Sequence, residues 1–378
     1  MRRTLSGAAV VTAASIFGLT YGLAAPLIAM NLEQRHASEV VIGLNAAMHA
    51  VGVLAVAPLL PRIVTRLGSR VAMLCALVLS ATMLALFPAA GMVWMWFPLR
   101  LGLGVAAEVL FVVSETWTND LADERVRGRV LAIYTASLSV GFAGGPAILS
   151  YVGSGKIAYF VGAGVAALAA IPLLHPSLIT PTAPPSEEKS PLRYLTLAPV
   201  AVAAALLNSA VETAGLSFIA LYAGRLGWTE TSALHLVSTL MIGAIVMQLP
   251  IGWLSDRVSP ERLTLGLSVL AAAGALAWPF LLAVPWLAFA MIFLWGGVFV
   301  GVYTVVATLV GSRFQGADRV GVYSAMSVAW GAGALIGPSL AGVAMGLSGK
   351  YGLPIFVSAA CALFAVFLAA QKTAGAKP

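Results

Sequence analysis

Apolar residues run through this chain in long blocks, parted by short polar connections. The blocks fall at about 7–30, 39–61, 71–90, 92–117, 130–150, 157–175, 196–222, 231–254, 263–283, 286–310, 320–343 and 352–370. At 1.5 Å of rise per residue, each is long enough as a helix for the roughly 30 Å of hydrocarbon in a bilayer. Helix is the expected element, because in lipid it alone closes its backbone hydrogen bonds within one segment. The first block follows Met1-Arg2-Arg3, a layout that resembles a signal peptide. Its length, and the eleven blocks after it, make it the first spanning helix instead. The pattern predicts an all-α membrane protein of twelve transmembrane helices.

The connections alternate between two kinds. One kind carries Arg2, Arg3, Arg62, Arg66, Arg70, Arg125, Arg127, Arg129, Lys189, Arg193, Arg257, Arg262, Arg313, Arg319, Lys372 and Lys377, and the other only Arg35, Lys156, Arg225 and Lys350. Arg100 stands alone inside a block. The positive-inside rule then puts both termini and the basic connections in the cytoplasm of a cell whose inner (plasma) membrane holds the chain. An odd number of spans would have scrambled the alternation. Composition agrees: 60% of residues are hydrophobic and 9% charged, against about 25% charged in soluble domains. The net charge of +7 therefore reports topology, and no nucleic-acid partner is expected. Cys75 and Cys361, isolated in separate apolar blocks, read as packing residues with no disulfide or metal role.

The longest polar stretch lies near the middle, with Pro181, Pro184, Pro185, Glu187, Glu188 and Lys189. It reads as a solvated linker over 176–195 between two six-helix halves, 1–175 and 196–378. The halves are repeats. Leu27-Ile28-Ala29-Met30 is matched 191 residues later by Phe218-Ile219-Ala220-Leu221, and at the same offset Glu39 falls on Glu230, Gly52 on Gly243 and Arg66 on Arg257. Farther on the offset becomes 192, with Gly104 on Gly296 and Gly145-Pro146 on Gly337-Pro338. Pseudo-symmetric halves with a central cavity between them are the build of a secondary transporter.

Several short segments sharpen that class. Pro61-Arg62-Ile63-Val64-Thr65-Arg66-Leu67-Gly68-Ser69-Arg70 and Gly252-Trp253-Leu254-Ser255-Asp256-Arg257-Val258-Ser259-Pro260-Glu261-Arg262 occupy equivalent connections. Both resemble the loop signature G-x-x-x-D-R-x-G-[RK]-[RK] of the major facilitator superfamily. The first copy has Thr65 in place of the acid and Pro61 in place of the glycine; the second keeps Gly252, Asp256 and Arg257. The resemblance implies a conformational latch involving Asp256, Arg257, Arg66 and the basic pair Arg127 and Arg129, although such arginines also serve as plain topology signals. Arg100-Leu101-Gly102-Leu103-Gly104 is similar to the R-x-x-Q-G signature of proton-coupled drug antiporters, with Leu103 for Gln. Gly141-Phe142-Ala143-Gly144-Gly145-Pro146 is similar to the antiporter G-x-x-x-G-P, and equally to a small-residue packing surface. Ser114-Glu115-Thr116-Trp117-Thr118-Asn119 with Arg127-Gly128-Arg129 resembles a group of bacterial YcaD-like facilitators.

Ionisable residues inside spans are costly and mark functional sites by default. Arg100, Glu108 and Glu115 share the fourth span and, at about 100° per residue, one broad face, expected to look into the protein. Glu212 lies mid-way along the seventh span beside Asn208, and its repeat partner is Tyr21. Glu108 and Glu212, with Arg100 as a biasing charge, are the expected proton-coupling residues. Tyr21, His49, Glu115, Tyr134, Asn208, Trp295, Tyr303, Tyr323 and Trp330 are candidates for a substrate cavity, with ordinary helix packing as the alternative for the aromatics and for His49.

These features predict a secondary transporter of a small organic molecule, proton-coupled and working by alternating access as a monomer among membrane lipids. Export by antiport is favoured, with uptake of a metabolite or vitamin by symport as the alternative. No H-E-x-x-H, G-x-S-x-G or Walker A pattern occurs, so neither an enzyme, a metal site nor an ATP-driven pump is expected, and no cofactor. A membrane scaffold would not need Glu108 and Glu212.

Overall fold

The computed structural model describes residues 2–122, 127–175, 178–179, 192–282 and 284–373, and among them the backbone is helical without a strand. In chain order the helices are α1 (Arg2–Gln34), α2 (Glu39–Val56), α3 (Leu60–Leu67), α4 (Ser69–Leu86), α5 (Trp96–Leu121), α6 (Arg127–Val152), α7 (Lys156–Leu168) and α8 (Ala170–Leu173). Then follow α9 (Leu192–Leu197), α10 (Pro199–Arg225), α11 (Glu230–Val246), α12 (Gln248–Ser255), α13 (Pro260–Leu281), α14 (Pro285–Arg313), α15 (Gly316–Ser348) and α16 (Gly352–Thr373). Eleven stretches among the described residues are long and apolar enough to cross a membrane. The last of them, Gly321–Gln371, runs to 51 residues and holds two helices, α15 and α16, broken at Gly349–Tyr351. With those two separated the spans number twelve, as the hydropathy pattern predicts.

The signature segments differ from the expected loops. Helix resumes after the short turn Ala57–Leu59 as α3 and runs to Leu67 before Gly68, at φ +79, reverses the chain into α4. Pro61 is tolerated there because it sits in the first turn of α3, where its missing N–H costs nothing. The same happens in the second half, where α12 carries the chain to Ser255 and Asp256 stands at its C-terminal cap. The residues read as a cytoplasmic loop are thus mostly the ends of spanning helices.

The chain divides into two compact units, Met1–Ala37 with Met48–Glu187, and Ser38–Ala47 with Glu188–Pro378. Within the first, α1 lies against α6 and α4 against α5; within the second, α10 lies against α15, α11 against α14 and α13 against α16. The start of α2 belongs to the second unit. There Glu39 pairs with Arg225, and a Cβ on Gly43 would stand 2.2 Å from the Pro338 carbonyl. Most of the linker expected at 176–195 lies outside the described residues. Its beginning is tied to the first unit, where Trp117 Nε1 donates to the Ile179 carbonyl at 2.8 Å and the Ile179 N–H donates to Ser6 Oγ at 2.9 Å.

Backbone approaches show the repeat independently of side-chain identity. A Cβ on Gly52 would lie 2.2 Å from the Leu101 oxygen, and one on Gly243, 191 residues later, 2.0 Å from that of Phe293. Gly104 would meet the His49 oxygen at 2.0 Å, and Gly296 that of Leu240 at 2.4 Å. Gly141 and Gly145 approach α1 as Gly333 and Gly337 approach α10. Only glycine lets these helix pairs close to such distances, the device of membrane helix packing.

Large apolar side chains on the outside, such as Leu249 and Leu347 at 82% exposure, would be a liability in water and suit contact with lipid.

Candidate functional site

Within the first unit, α1, α2, α4 and α5 border a small, partly open cavity lined by Thr20, Tyr21, His49, Ser80 and Arg100 with apolar neighbours that include Phe17, Leu103 and Ala107. The centre of a water-sized molecule has about 20 Å3 to move in there, enough for a water or one small ion. Tyr21 and His49 face each other with ring centroids 4.7 Å apart, and Phe142 stands edge-on to Tyr21 at 5.6 Å. Arg100 is buried, and so is His49, whose Nδ1 has no hydrogen-bond partner. The sequence picks out Tyr21, His49 and Arg100; the structure brings them together and adds Ser80, an isolated hydroxyl in an apolar block with no motif to signal it.

Glu108 is half-buried on α5. To the wall of this cavity α5 contributes Arg100, Leu103, Ala107 and Leu110, and Glu108 is not part of it. Among the described residues it forms no ion pair with Arg100. The 80° between them on the helical wheel suffices to turn one residue into the bundle and leave the other half-buried beside it. Glu115 is exposed and, with Thr116, Asn119 and Asp120, borders an open depression at the end of α5.

In the second unit Glu212 lies on α10 one turn after Asn208, whose Nδ2 donates to Glu212 Oε2 at 3.0 Å. Asn208 Oδ1 is buried without a partner. Trp295 is enclosed by packing: its Nε1 donates to the Ala271 carbonyl at 2.9 Å, it stacks on Phe299 at 5.2 Å, and Trp278 meets it edge-on at 4.7 Å. On α14, Thr304 hydrogen-bonds Gln248 of α12, a polar cross-link that no sequence motif marks.

A family model described as "Major Facilitator Superfamily" matches residues 10–338 and 200–377. The chain belongs to the Major Facilitator Superfamily. It is accordingly a multi-pass membrane transporter of a small-molecule substrate and not an enzyme. A curated superfamily relative, "Uncharacterized MFS-type transporter YfkF" of Bacillus subtilis (strain 168), is 29% identical over 271 residues, covering 69% of this chain and 68% of the relative. "Multidrug resistance protein 1" of the same organism is 27% identical over 155 residues, 40% of each chain. Among solved structures, a mutant of the nucleoside transporter NupG superimposes with a TM-score of 0.80 at 14% identity, covering 98% of this chain and 100% of that one. The D-xylose-proton symporter does so with a TM-score of 0.76 at 15% identity, covering 97% of each. Identities this low establish the superfamily fold alone.

The remaining superfamily candidates are scattered. Tyr134 is buried against Ser114, hydroxyl to hydroxyl at 3.0 Å, within α5–α6 packing. Tyr323 is exposed and donates to the Ala307 carbonyl at 3.3 Å, while Tyr303 and Trp330 are half-buried on α14 and α15. Asp256 and Arg66 are exposed helix-end residues, and Arg257 lies over the Trp253 ring, 3.6 Å from its centroid. Arg127 and Arg129 sit in the first turn of α6 with side chains outside the described set.

Proposed function

We propose that this chain is a proton-coupled secondary transporter of a small organic molecule, working as a monomer by alternating access in the plasma membrane, with both termini cytoplasmic. The observation that carries the reading is Glu212, a carboxylate in the middle of a spanning helix whose hydrogen bond comes from a neutral amide, Asn208. Such a group can lose its charge by taking up a proton, which an arginine cannot do. A carboxylate that is charged when open to water and neutral when closed into the protein links protonation to conformation, the requirement of a proton-driven cycle. Glu108 is the second protonatable candidate. We read the direction as export by antiport, on the similarity to a multidrug resistance protein. The glycines of the antiporter-like segment do not add to that reading, because Gly333 and Gly337 repeat the same packing in the other half. Asp256 pairing with Arg127 or Arg129 serves as the cytoplasmic latch, and Thr65 makes no such pair with Arg319.

The test begins with a thermal-shift screen of purified protein against metabolites and drugs at two pH values. Binders are then assayed in proteoliposomes under an imposed proton gradient. Glu212→Gln should keep substrate binding and exchange but lose gradient-driven accumulation; a variant still accumulating substrate on pH alone removes Glu212 from coupling. Substrate moving with the protons rather than against them would replace export with uptake. Asp256→Asn should shift the inward–outward balance, and an unchanged balance and unchanged transport would dispose of the latch.

A further inference from the structure

Arg100 is a buried cation without a carboxylate partner. The residue is 2% exposed, its Nε is buried without a hydrogen-bond partner, and it forms no ion pair with an Asp or Glu among the described residues. An arginine does not relieve such a position by giving up its proton. A buried charge left alone is among the most unfavourable arrangements a protein can hold, and it calls for a compensating group. No Asp or Glu lines the cavity into which Arg100 faces. What lines it besides apolar side chains are the His49 ring, the Tyr21 ring and the Thr20 and Ser80 hydroxyls, and Thr20 already donates to the Ile16 carbonyl at 2.7 Å.

We propose that this cavity holds one halide-sized monovalent anion, chloride in the cell, bound by the Arg100 guanidinium and flanked by Ser80 and His49. Charge decides against water alone: a water can accept a hydrogen bond but leaves the cationic charge uncompensated in a poorly solvated interior. Size favours a small ion over a bulky organic anion, since the centre of a water-sized sphere has only about 20 Å3 in which to move. The corresponding place in the other half needs no such ion. There the residue 192 positions after Arg100 is Ile292, and those after Leu103 and Ala107 are Trp295 and Phe299, so that apolar bulk stands where the first half has a cation and a void. The site is built from residues of the first unit and Glu212 belongs to the second, and their fates are decided by different measurements.

Purified full-length protein in gluconate is titrated with chloride, bromide and acetate at constant ionic strength, reading the melting temperature and, in parallel, equilibrium binding of radioactive chloride. Chloride and bromide should raise the melting temperature saturably by about 2 °C or more, with one chloride bound per chain and no response to acetate. Arg100→Gln should lose both effects. Ala107→Phe, which imports the side chain that occupies this place in the other half, should lose chloride binding while keeping the arginine. Wild-type protein with no saturable chloride binding, or Arg100→Gln binding chloride as tightly as wild type, overturns the proposal in favour of water. Acetate matching chloride overturns the size argument. Should Arg100→Gln fail to fold, the wild-type stoichiometry and Ala107→Phe decide the matter.

Discussion

Where the N-terminal half sets Leu103 and Ala107 beside the Arg100 cavity, the C-terminal half sets Trp295 and Phe299, stacked at 5.2 Å and closed off by Trp278. His49 has Leu240 as its counterpart, Arg100 has Ile292, and Tyr21 has Glu212. The helices that carry these residues approach each other through equivalent glycines in both halves, so the backbone frame was kept while its filling diverged. Duplication supplies a second copy of every interior position. Once one copy holds the frame together, the other is free to carry a charge. In each half a polar group that hydrocarbon disfavours is retained, but on different helices: the cation on α5 of the first, the carboxylate on α10 of the second.

The shared frame is the first thing to break. Gly104→Leu and Gly296→Leu each place a side chain where even a Cβ would lie 2.0 Å and 2.4 Å from a carbonyl oxygen of the facing helix. No rotamer relieves a clash with backbone, so neither variant should be recovered as folded, monodisperse protein by size exclusion. Gly164→Leu, with nothing within 4 Å of its Cβ position, should behave as wild type. Recovery of either clashing variant would mean that the register is not what pins the repeat.

The divergent filling gives a smaller and asymmetric effect. Trp295→Ala should cost about 3–5 kcal/mol, because it empties a packed aromatic stack and removes a hydrogen bond to Ala271. Leu103→Ala, its counterpart, widens a cavity already present and should cost about 2 kcal/mol. Denaturation of the two variants in the same detergent compares them directly, and equal losses would erase the distinction between a filled and an open half.

The smallest effect expected concerns Tyr21, the counterpart of Glu212. Tyr21→Phe keeps the ring against His49 and Phe142 and removes only the hydroxyl. Proton-driven accumulation should stay near the wild-type level where Glu212→Gln loses it. Equal loss in both would make coupling a property of the repeated position rather than of the carboxylate.

The spans, their number and the repeat were legible in the sequence because hydrocarbon admits few solutions: a helix about twenty residues long, with polar residues at its ends, is nearly forced. Residues that stand out chemically within those spans, Arg100, Glu108, Glu212 and His49, were legible for the same reason. What each of them faces was not. Arg100 and Glu108 share a helical face on a wheel, yet only Arg100 borders the cavity, since that depends on which neighbour lies across from each side chain. Likewise Trp295 and Tyr134 read from the chain as cavity aromatics, and tertiary packing against Ala271 and Ser114 holds them inside helix interfaces. The loop signatures became helix ends, with Pro61 in the first turn of α3 and Pro260 opening α13, a matter of where each helix starts. One-dimensional hydropathy fixes how deep a residue lies in the membrane. Which way it points is decided by the contacts of the helix that carries it.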